Sequence, residues 1–219
     1  MAIICGIEEA GRGPVIGPLV VCGIMIDEKD EPKLAGIGVK DSKLLTPKKR
    51  ESLFDQIKSI AKDYKLIIVP PEEVDAYLSA DDLNLNKLEA QKMAVAINEL
   101  NPDKVLLDCP SNNIKAFVSY LKRHLKDKQV EIIAEHKADV KYLIVGAASI
   151  LAKVTRDREI QKIKEKIGID FGSGYTSDER TIEFLKKNWD KYPSIFRKKW
   201  ISYQKVAKSK GQSKLGNFP

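Results

Sequence analysis

The order of the apolar segments constrains the fold of this chain more than any other feature. Two runs rich in β-branched residues, 2–7 and 18–26, come first and are joined by a glycine-rich bend, which predicts a hairpin-like pair of strands. Further short apolar runs then alternate with segments whose apolar residues recur at helical spacing. Strands that pair antiparallel and then alternate with helices predict an α/β fold built on a mixed sheet.

The other predicted elements follow from the same patterns. Thr46 and Pro47 predict the start of a helix over 46–62, because threonine caps helices well and proline suits the first helical position. Further strands are predicted over 65–69, 104–108 and 129–134, and further helices over 86–100, 113–126, 140–166 and 178–188.

Composition excludes several classes of protein. The 219 residues are 43% hydrophobic and 32% charged, which is ordinary for a globular protein with a sizeable core. Cys5, Cys22 and Cys109 have no paired spacing, which favours a reduced cytoplasmic protein with buried thiols. No run approaches the roughly 18 apolar residues of a membrane span, and no signal peptide precedes the first strand. We therefore expect no membrane partner.

Positive charge is concentrated at the end of the chain. Ten basic residues and one acidic residue lie within 186–219, so this segment carries +9 and the rest of the chain −2, for a net charge of +7. Aromatic residues are interleaved with these charges, a mixture that suits a polyanion surface, and nucleic acid is the leading partner. A solvated lysine-rich tail is the alternative.

Four acidic residues lie at the ends of predicted strands. Glu8 and Glu9 follow the first strand, Asp108 ends the strand over 104–108, and Asp139 follows the strand over 129–134. Functional groups gather at the strand ends of an α/β sheet, so these carboxylates are candidates to converge on one patch. Hard divalent cations relieve the repulsion within such a patch, and oxygen-rich sites favour Mg²⁺ or Mn²⁺. Each aspartate alone also suits a turn or a helix N-cap.

Six motifs occur in order along the chain and resemble one family. They are GIEEAGRGPVIGP at its start, KDSK at 40–43, LLD at 106–108, EHKAD at 135–139, AASILAKVTRDR at 147–158 and GSGYTSD at 172–178. The series is similar to that of ribonuclease HII, the type 2 ribonucleases H, and most like the archaeal single-chain form. The resemblance covers nearly the whole chain.

The resemblance implies a ribonuclease H-like mixed sheet flanked by helices, with a small helical C-terminal extension. It implies an endonuclease that hydrolyses the RNA strand of RNA/DNA hybrids and incises 5′ of single ribonucleotides embedded in duplex DNA. Two divalent ions, Mg²⁺ or Mn²⁺, would serve the reaction, which leaves 5′-phosphate and 3′-hydroxyl ends. We expect a cytoplasmic monomer with a catalytic domain over 1–176, a basic helical extension over 177–211 and a clamp-binding-like tail over 212–219.

The resemblance also implies roles for individual residues. The metal-binding and catalytic acids of the family correspond to Glu8, Glu9, Asp108 and Asp139. The family's ribonucleotide-recognition residues, which contact the 2′-hydroxyl and stack on the sugar, correspond to Gly11, Arg12, Gly13 and Tyr175. Taken alone, the glycines also suit a plain hairpin turn and Tyr175 a half-buried loop aromatic.

Other residues are candidates to contact the nucleic-acid backbone. Ser42 and Lys43 of KDSK and Asn86 are candidates for phosphate contacts, with an exposed turn as the alternative for KDSK. The basic portion over 197–208, with Arg197, Lys198 and Lys199 at its start, is expected to contact the duplex. His136 is expected to orient its loop and not to take part in the reaction.

One acid departs from the family pattern. The family normally has aspartate followed by glutamate where this chain has Glu8 and Glu9. The first of these acids is the one expected to bridge both metals, and glutamate is longer by one methylene. A displacement of about 1 Å can cost on the order of 10²-fold in rate. Either the strand retracts to compensate or the enzyme is tuned differently.

The last residues resemble a docking peptide. Gln212, Leu215 and Phe218 have the Q-x-x-L-x-x-F spacing with which replication proteins bind the sliding clamp. One helical turn would place Leu215 and Phe218 on one side as an apolar plug. A frayed tail is the alternative.

Two other functions fit parts of the sequence. A resolvase or DNA-directed nuclease of the same fold would share the clustered acids without the glycine loop and Tyr175. A non-enzymatic hybrid-binding protein is compatible with the change at Glu8.

Overall fold

Five strands form the sheet of this computed structural model, which describes residues 2–39 and 45–215, with side chains to residue 209. In chain order they are β1 (Ile3–Ala10), β2 (Leu19–Asp27), β3 (Asp63–Val69), β4 (Lys104–Asp108) and β5 (Glu131–Glu135). Across the sheet the order is β3-β2-β1-β4-β5. β1 pairs antiparallel with β2 and parallel with β4, and β4 pairs parallel with β5. The mixed α/β sheet predicted from the sequence is confirmed.

Helices connect most of the strands. Those of the described residues are α1 (Glu31–Gly36), α2 (Pro47–Ile60), α3 (Pro71–Tyr77), α4 (Leu85–Leu100), α5 (Ile114–Arg123), α6 (Ala138–Lys141), α7 (Leu143–Ile167), α8 (Glu179–Asn188) and α9 (Ile201–Leu215). A short 3₁₀ helix covers Glu28–Asp30. The predicted start of α2 is confirmed, because the Thr46 side chain accepts a hydrogen bond from the backbone N–H of Lys49.

Several predicted bounds differ from the structure. β1 extends to Ala10, so Glu8 and Glu9 lie within the strand and not after it, because β2 supplies ladder partners as far as Val20. The helix predicted over 140–166 is divided into α6 and α7, because Tyr142 between them has an extended backbone. α3 was not predicted, and Pro71 occupies its first turn.

By its internal contacts the chain divides into two compact units. The first comprises Met1–Ala10, Val20–Ile68 and Asn84–Thr155, and the second comprises Gly11–Leu19, Val69–Leu83 and Arg156–Pro219. These compact units do not coincide with the predicted catalytic domain, extension and tail, whose bounds lie after residues 176 and 211. That functional division stays a prediction.

The first unit has an apolar core on each face of the sheet. Ile4 and Leu106 pack with α7 on one face, and Cys5 and Leu107 pack with α4 on the other. α7 approaches β1 closely at Gly6: a Cβ there would lie 2.8 Å from the backbone nitrogen of Val145 and closer still to the carbonyl of Ile144. Glycine at position 6 is therefore what lets the helix rest directly on the strand.

The second unit has its own core, in which aromatic side chains predominate. Its buried members are Val15, Ile16, Ile160, Phe171, Phe184, Leu185, Phe196 and Tyr203. Trp189, Tyr192 and Trp200 pack against this core from partly buried positions. The aromatic residues that alternate with lysine and arginine near the end of the sequence thus build a hydrophobic core, and a stacking role toward a polyanion is not needed to explain them.

The cysteine side chains and the character of the helices are also visible in the structure. Cys5, Cys22 and Cys109 are buried and form no disulfide. Within the described ranges, no helix combines the length and apolar character needed to cross a membrane.

Candidate active site

Two of the predicted acids lie side by side on the central parallel strands of the first unit. Ile7 of β1 pairs with Leu107 of β4, so Glu8 and Asp108 are the next residues along the two strands. Strand alternation places both of these acids on the face that carries Ile4 and Leu106. Glu8 is only 6% exposed. The structure therefore brings Glu8 and Asp108 together, although Glu8 lies within its strand and not after it as the sequence predicted.

Asp139 reaches the same region through the backbone that follows β5. The N–H of Ala138 donates to Oδ1 of Asp108 at 2.9 Å, which ties the start of α6 to the end of β4. Asp139 is the next residue and is buried in this short helix. The sequence predicted a helix from residue 140 and allowed Asp139 as its N-cap, whereas α6 begins at Ala138 and Asp139 lies in its first turn.

Glu9 occupies a different position from the other acids. It pairs with Val21 on β2, and alternation along β1 places it on the opposite face of the strand from Glu8. Its backbone N–H donates to Oε1 of Glu8 at 3.0 Å, so Glu9 helps to orient the Glu8 carboxylate.

The four acids interact electrostatically. Burial raises the pKa of Glu8 well above its ordinary value of 4.5, and the charges of Glu9, Asp108 and Asp139 raise it further. Within the described ranges, no three His, Cys, Asp or Glu side chains are arranged to hold a metal ion. The carboxylates are thus neighbours whose mutual repulsion is substantial, and their side chains do not form a ready-made ligand shell.

The glycine-rich loop belongs to the second unit and is tightly packed. Gly11 has φ of +88°, a conformation that favours glycine. A Cβ on Gly11 would lie 2.7 Å from Cδ of Arg156 and 2.7 Å from the carbonyl oxygen of Pro18. Both the backbone angle and the close neighbours exclude a side chain at this position.

Tyr175 lies beside this loop. Its ring approaches Gly13, where a Cβ would come 3.7 Å from Cε1 of Tyr175. The Arg156 guanidinium lies 4.8 Å from the centre of the Tyr175 ring and also donates to the carbonyl of Ser173. The structure therefore brings Gly11, Gly13 and Tyr175 together within one unit.

Two residues hold the loop from within, and the sequence did not indicate this role for either. Arg197 is fully buried and donates to the carbonyls of Gly11, Arg12 and Gly17. The indole N–H of Trp200 donates to the carbonyl of Gly13 at 3.1 Å. The sequence groups Arg197 with the residues expected to contact the duplex, whereas in the structure its side chain is buried. The apolar residue directly before it, Phe196, is also buried and was the one sequence signal that this part of the segment faces the core.

Lys198 and Lys199 have the exposure expected of phosphate-binding residues. The Asp75 carboxylate accepts hydrogen bonds from their backbone N–H groups, at 2.7 Å and 3.0 Å respectively. The backbone of this pair is therefore fixed while both side chains are exposed to solvent.

The remaining candidates lie elsewhere. Asn86 lines a cavity of about 290 Å³ in the first unit, together with Lys87, Tyr120 and Arg123. Three candidates lie outside the described residues: Ser42, Lys43 and Phe218. The backbone of Gln212 and Leu215 is described as part of the last turn of α9, but their side chains are not.

His136 has a structural role, as expected. Its Nδ1 lies 3.1 Å from the carbonyl oxygen of Cys109, so Nδ1 carries the proton and donates it. This bond links the segment after β5 to the segment after β4.

The sheet order and the carboxylates on its central strands define a nuclease of the ribonuclease H-like class. The family model for ribonuclease HII matches residues 5–203. Ribonuclease HII of Pyrococcus furiosus is 49% identical over 222 residues, covering 97% of this chain and 96% of that protein.

Two solved structures agree with this match. The crystal structure of ribonuclease H2 from Pyrococcus horikoshii OT3 is 48% identical with a TM-score of 0.86, covering 94% of this chain and 98% of that one. Ribonuclease HII in the PCNA:RNase HII complex from Archaeoglobus fulgidus is 41% identical with a TM-score of 0.81, covering 90% and 95%. The chain belongs to the ribonuclease HII family and is a ribonuclease H, a nuclease acting on the RNA strand of RNA/DNA hybrids. This membership decides against the resolvase and the non-enzymatic alternatives.

Proposed function

We propose that this ribonuclease H incises duplex DNA on the 5′ side of single embedded ribonucleotides, as well as cutting within longer hybrids. The reaction would depend on Mg²⁺ or Mn²⁺ and leave 5′-phosphate and 3′-hydroxyl ends. The observation that carries the proposal is the cluster of Glu8, Asp108 and Asp139 on and beside the central parallel strands.

The donor set fits a hard divalent cation. All four acids offer oxygen ligands, and the raised pKa of Glu8 reflects both its burial and the repulsion that bound positive charge would relieve. Glu8, Asp108 and Asp139 would hold the ions from the shared region, and Glu9, whose charge acts on Glu8 from the next position of β1, would join them as a fourth ligand. When bound, a pair of such ions supplies Lewis-acid activation of a water and stabilisation of the leaving oxygen.

The chain itself orients these ligands. The Ala138 N–H fixes one oxygen of Asp108, and the Glu9 N–H fixes one oxygen of Glu8. A carboxylate held by a backbone amide cannot rotate away, so each presents its charge in a constant direction. Burial of Glu8 and Asp139 further limits competing water.

Ribonucleotide recognition is assigned to the second unit. The backbone of Gly11, Arg12 and Gly13 would contact the 2′-hydroxyl, the group that distinguishes RNA from DNA at a given position. Arg156 covers one face of the Tyr175 ring, and the sugar of the ribonucleotide would stack on the other. Lys198, Lys199, Ser42, Lys43 and Asn86 are proposed to contact phosphates.

A sliding clamp is proposed as the protein partner. The Archaeoglobus fulgidus relative was solved in complex with PCNA. Gln212, Leu215 and Phe218 have the spacing of a clamp-binding peptide. The three buried cysteines, which form no disulfide, support a reducing cytoplasmic location for the protein.

Cleavage of one defined duplex tests the proposal. The substrate carries a single ribonucleotide in a labelled DNA strand, and its matched control is the same duplex in DNA only. With Mg²⁺ or Mn²⁺ we expect one cut, 5′ of the ribonucleotide, and no cut in the control.

The variant Asp108→Asn should abolish this cut while its thermal unfolding stays close to that of the parent protein. The amide oxygen of asparagine can still accept the Ala138 N–H, so the fold keeps its local support while a charged ligand is removed. Normal turnover by Asp108→Asn would refute the assigned role of the acids, and equal cutting of the all-DNA duplex would refute ribonucleotide selection.

A further inference from the structure

Arg197 makes an unusual set of contacts for a residue in a strongly basic segment. It is fully buried, and its Nε, Nη1 and Nη2 donate to the carbonyls of Gly17, Arg12 and Gly11 at 3.0, 3.1 and 2.6 Å. Its guanidinium lies 4.8 Å from the centre of the Trp200 ring. One side chain therefore gathers three carbonyl oxygens from the two ends of a single loop.

These bonds orient the whole recognition segment. Arg197 holds the carbonyls of Gly11 and Arg12, and Trp200 holds that of Gly13. The peptide bonds here are trans, so the C=O and N–H of one peptide point in opposite directions. Carbonyls of Gly11 and Arg12 held toward Arg197 therefore direct the N–H groups of Arg12 and Gly13 to the other side of the segment. A row of N–H donors presented by a glycine-rich bend suits an oxygen acceptor.

Only arginine can make this set of contacts. Its guanidinium is planar, carries five N–H donors in a rigid fork and stays charged when buried. Lysine would bring a single nitrogen on a flexible stem, which cannot span the carbonyls of Gly11 and Gly17 at once. The segment also depends on Arg156, whose side chain packs against Gly11 on the way to Tyr175.

We infer that Arg197 is a positioning residue that sets the ribonucleotide specificity of this enzyme by holding the carbonyls of Gly11 and Arg12 inward. The residue does not touch the substrate. It acts through the backbone of the loop, and its replacement would reduce discrimination between a ribose and a deoxyribose more than it reduces binding of the duplex. The inference rests on the proposed recognition of the 2′-hydroxyl by residues 11–13.

The test compares binding of two duplexes that differ by one 2′-hydroxyl. Both are measured by fluorescence anisotropy at one salt concentration with an Asp108→Asn protein, which binds without cutting. The dissociation constant of the all-DNA duplex divided by that of the ribonucleotide duplex reports the 2′-hydroxyl contact alone. Adding Arg197→Lys should lower this ratio by about tenfold, the effect of losing one well-placed hydrogen bond or two weaker ones, while affinity for the all-DNA duplex changes little.

A buried arginine elsewhere provides the matched control. Arg50 lies in the first unit, is 8% exposed and donates to the carbonyl of Leu45 at 2.6 Å. Arg50→Lys should lower the melting temperature, as Arg197→Lys should, but leave the ratio of dissociation constants unchanged. A purely structural role for Arg197 predicts that the two variants behave alike.

A second variant keeps the test decisive if Arg197→Lys does not fold. Trp200→Phe removes the indole N–H that binds Gly13 and retains an aromatic ring beside Arg197, and it should lower the ratio in the same direction by a smaller factor. An unchanged ratio of dissociation constants in Arg197→Lys would overturn the inference. If Arg197→Lys does not fold, an unchanged ratio in Trp200→Phe would overturn it. If the Asp108→Asn reference itself shows no preference for the 2′-hydroxyl, the proposed ribonucleotide recognition fails instead.

Discussion

Glu8 is the residue at which stability and catalysis conflict most directly. Its carboxylate is buried beside three other acids, and its pKa is raised by burial first and by these charges second. A group whose pKa is raised in the folded state binds its proton more tightly there than in the unfolded chain. The free energy of unfolding therefore decreases as the pH rises above the ordinary value of 4.5 and through the folded-state pKa.

The variant Glu8→Gln should separate these two properties. It keeps the shape of the side chain and removes the charge, so without divalent cations it should be more stable than the parent at about pH 8 and differ less at about pH 5. Thermal unfolding at both pH values measures this, and cleavage should be abolished. If Glu8→Gln is no more stable than the parent protein at the higher pH, the Glu8 carboxylate carries little electrostatic cost.

The length of the Glu8 side chain makes a second prediction at the same position. The family normally has aspartate here, and Glu8 lies on a strand that is paired on both sides and cannot retract easily. Glu8→Asp should therefore preserve or raise the rate of cleavage, measured as kcat/KM on the single-ribonucleotide duplex. A decrease of more than about tenfold would mean that the positions of the other acids suit the longer glutamate side chain and not aspartate.

At the scale of elements, local patterns predicted what depends on neighbours in the sequence. The bounds of β4 and the Thr46 cap of α2 were correct because both are encoded within a few residues. The extra length of β1 depends on pairing with β2, and the inward turn of Arg197 depends on carbonyls some 180 positions earlier in the chain. Neither distant partner is visible in a local pattern.

The candidate site shows the same division. The sequence pointed to Glu8 and Asp108 as neighbours, and the structure brings them together because β1 and β4 are adjacent parallel strands. The reason differs in part, since Asp108 ends β4 whereas Glu8 lies within β1. The separate position of Glu9 on the other face follows from the strand continuing past it, which the apolar run did not show.

The segment that precedes α9 carries a prediction about backbone binding. Asp75 fixes the backbone of Lys198 and Lys199 and leaves their ammonium groups exposed. Replacing both with alanine should weaken substrate binding and reduce the slope of log affinity against log salt by about 0.9 for each phosphate that is no longer neutralised. Affinity measured over a series of salt concentrations gives the slope.

The control for that experiment removes the same charge elsewhere. Lys29 and Lys33 are exposed at the 3₁₀ helix and α1, and neither is assigned to the substrate. A slope that falls equally in the Lys29→Ala, Lys33→Ala protein would mean that net charge, and not a localised contact, determines binding.

For the whole molecule, the uneven charge separates two tasks along the chain. The segment 186–219 carries a charge of +9 and the remaining residues carry −2, so the end of the chain attracts a polyanion. The candidate catalytic acids lie near the start and in the middle of the sequence. Within that end, the residues after 211 have a different pattern from the basic residues before them.

Deleting 212–219 should therefore affect one task only. Cleavage of a short duplex should be nearly unchanged, whereas co-elution with the cognate sliding clamp in gel filtration should disappear. A protein of unchanged length with Gln212, Leu215 and Phe218 replaced by alanine controls for the deletion and should also fail to co-elute. Retained clamp binding by either protein would contradict the assignment.

The close approach at Gly6 has a consequence for how this enzyme can be diversified. Because α7 rests on β1 with no room for a methyl group, a library that randomises position 6 should return glycine almost alone among active clones. Gly6 lies two residues before Glu8 on the same face of the strand, so a substitution there would shift the strand that carries this acid. Directed evolution of a new cleavage preference should therefore succeed through the loop and basic segment of the second unit, with β1 held constant.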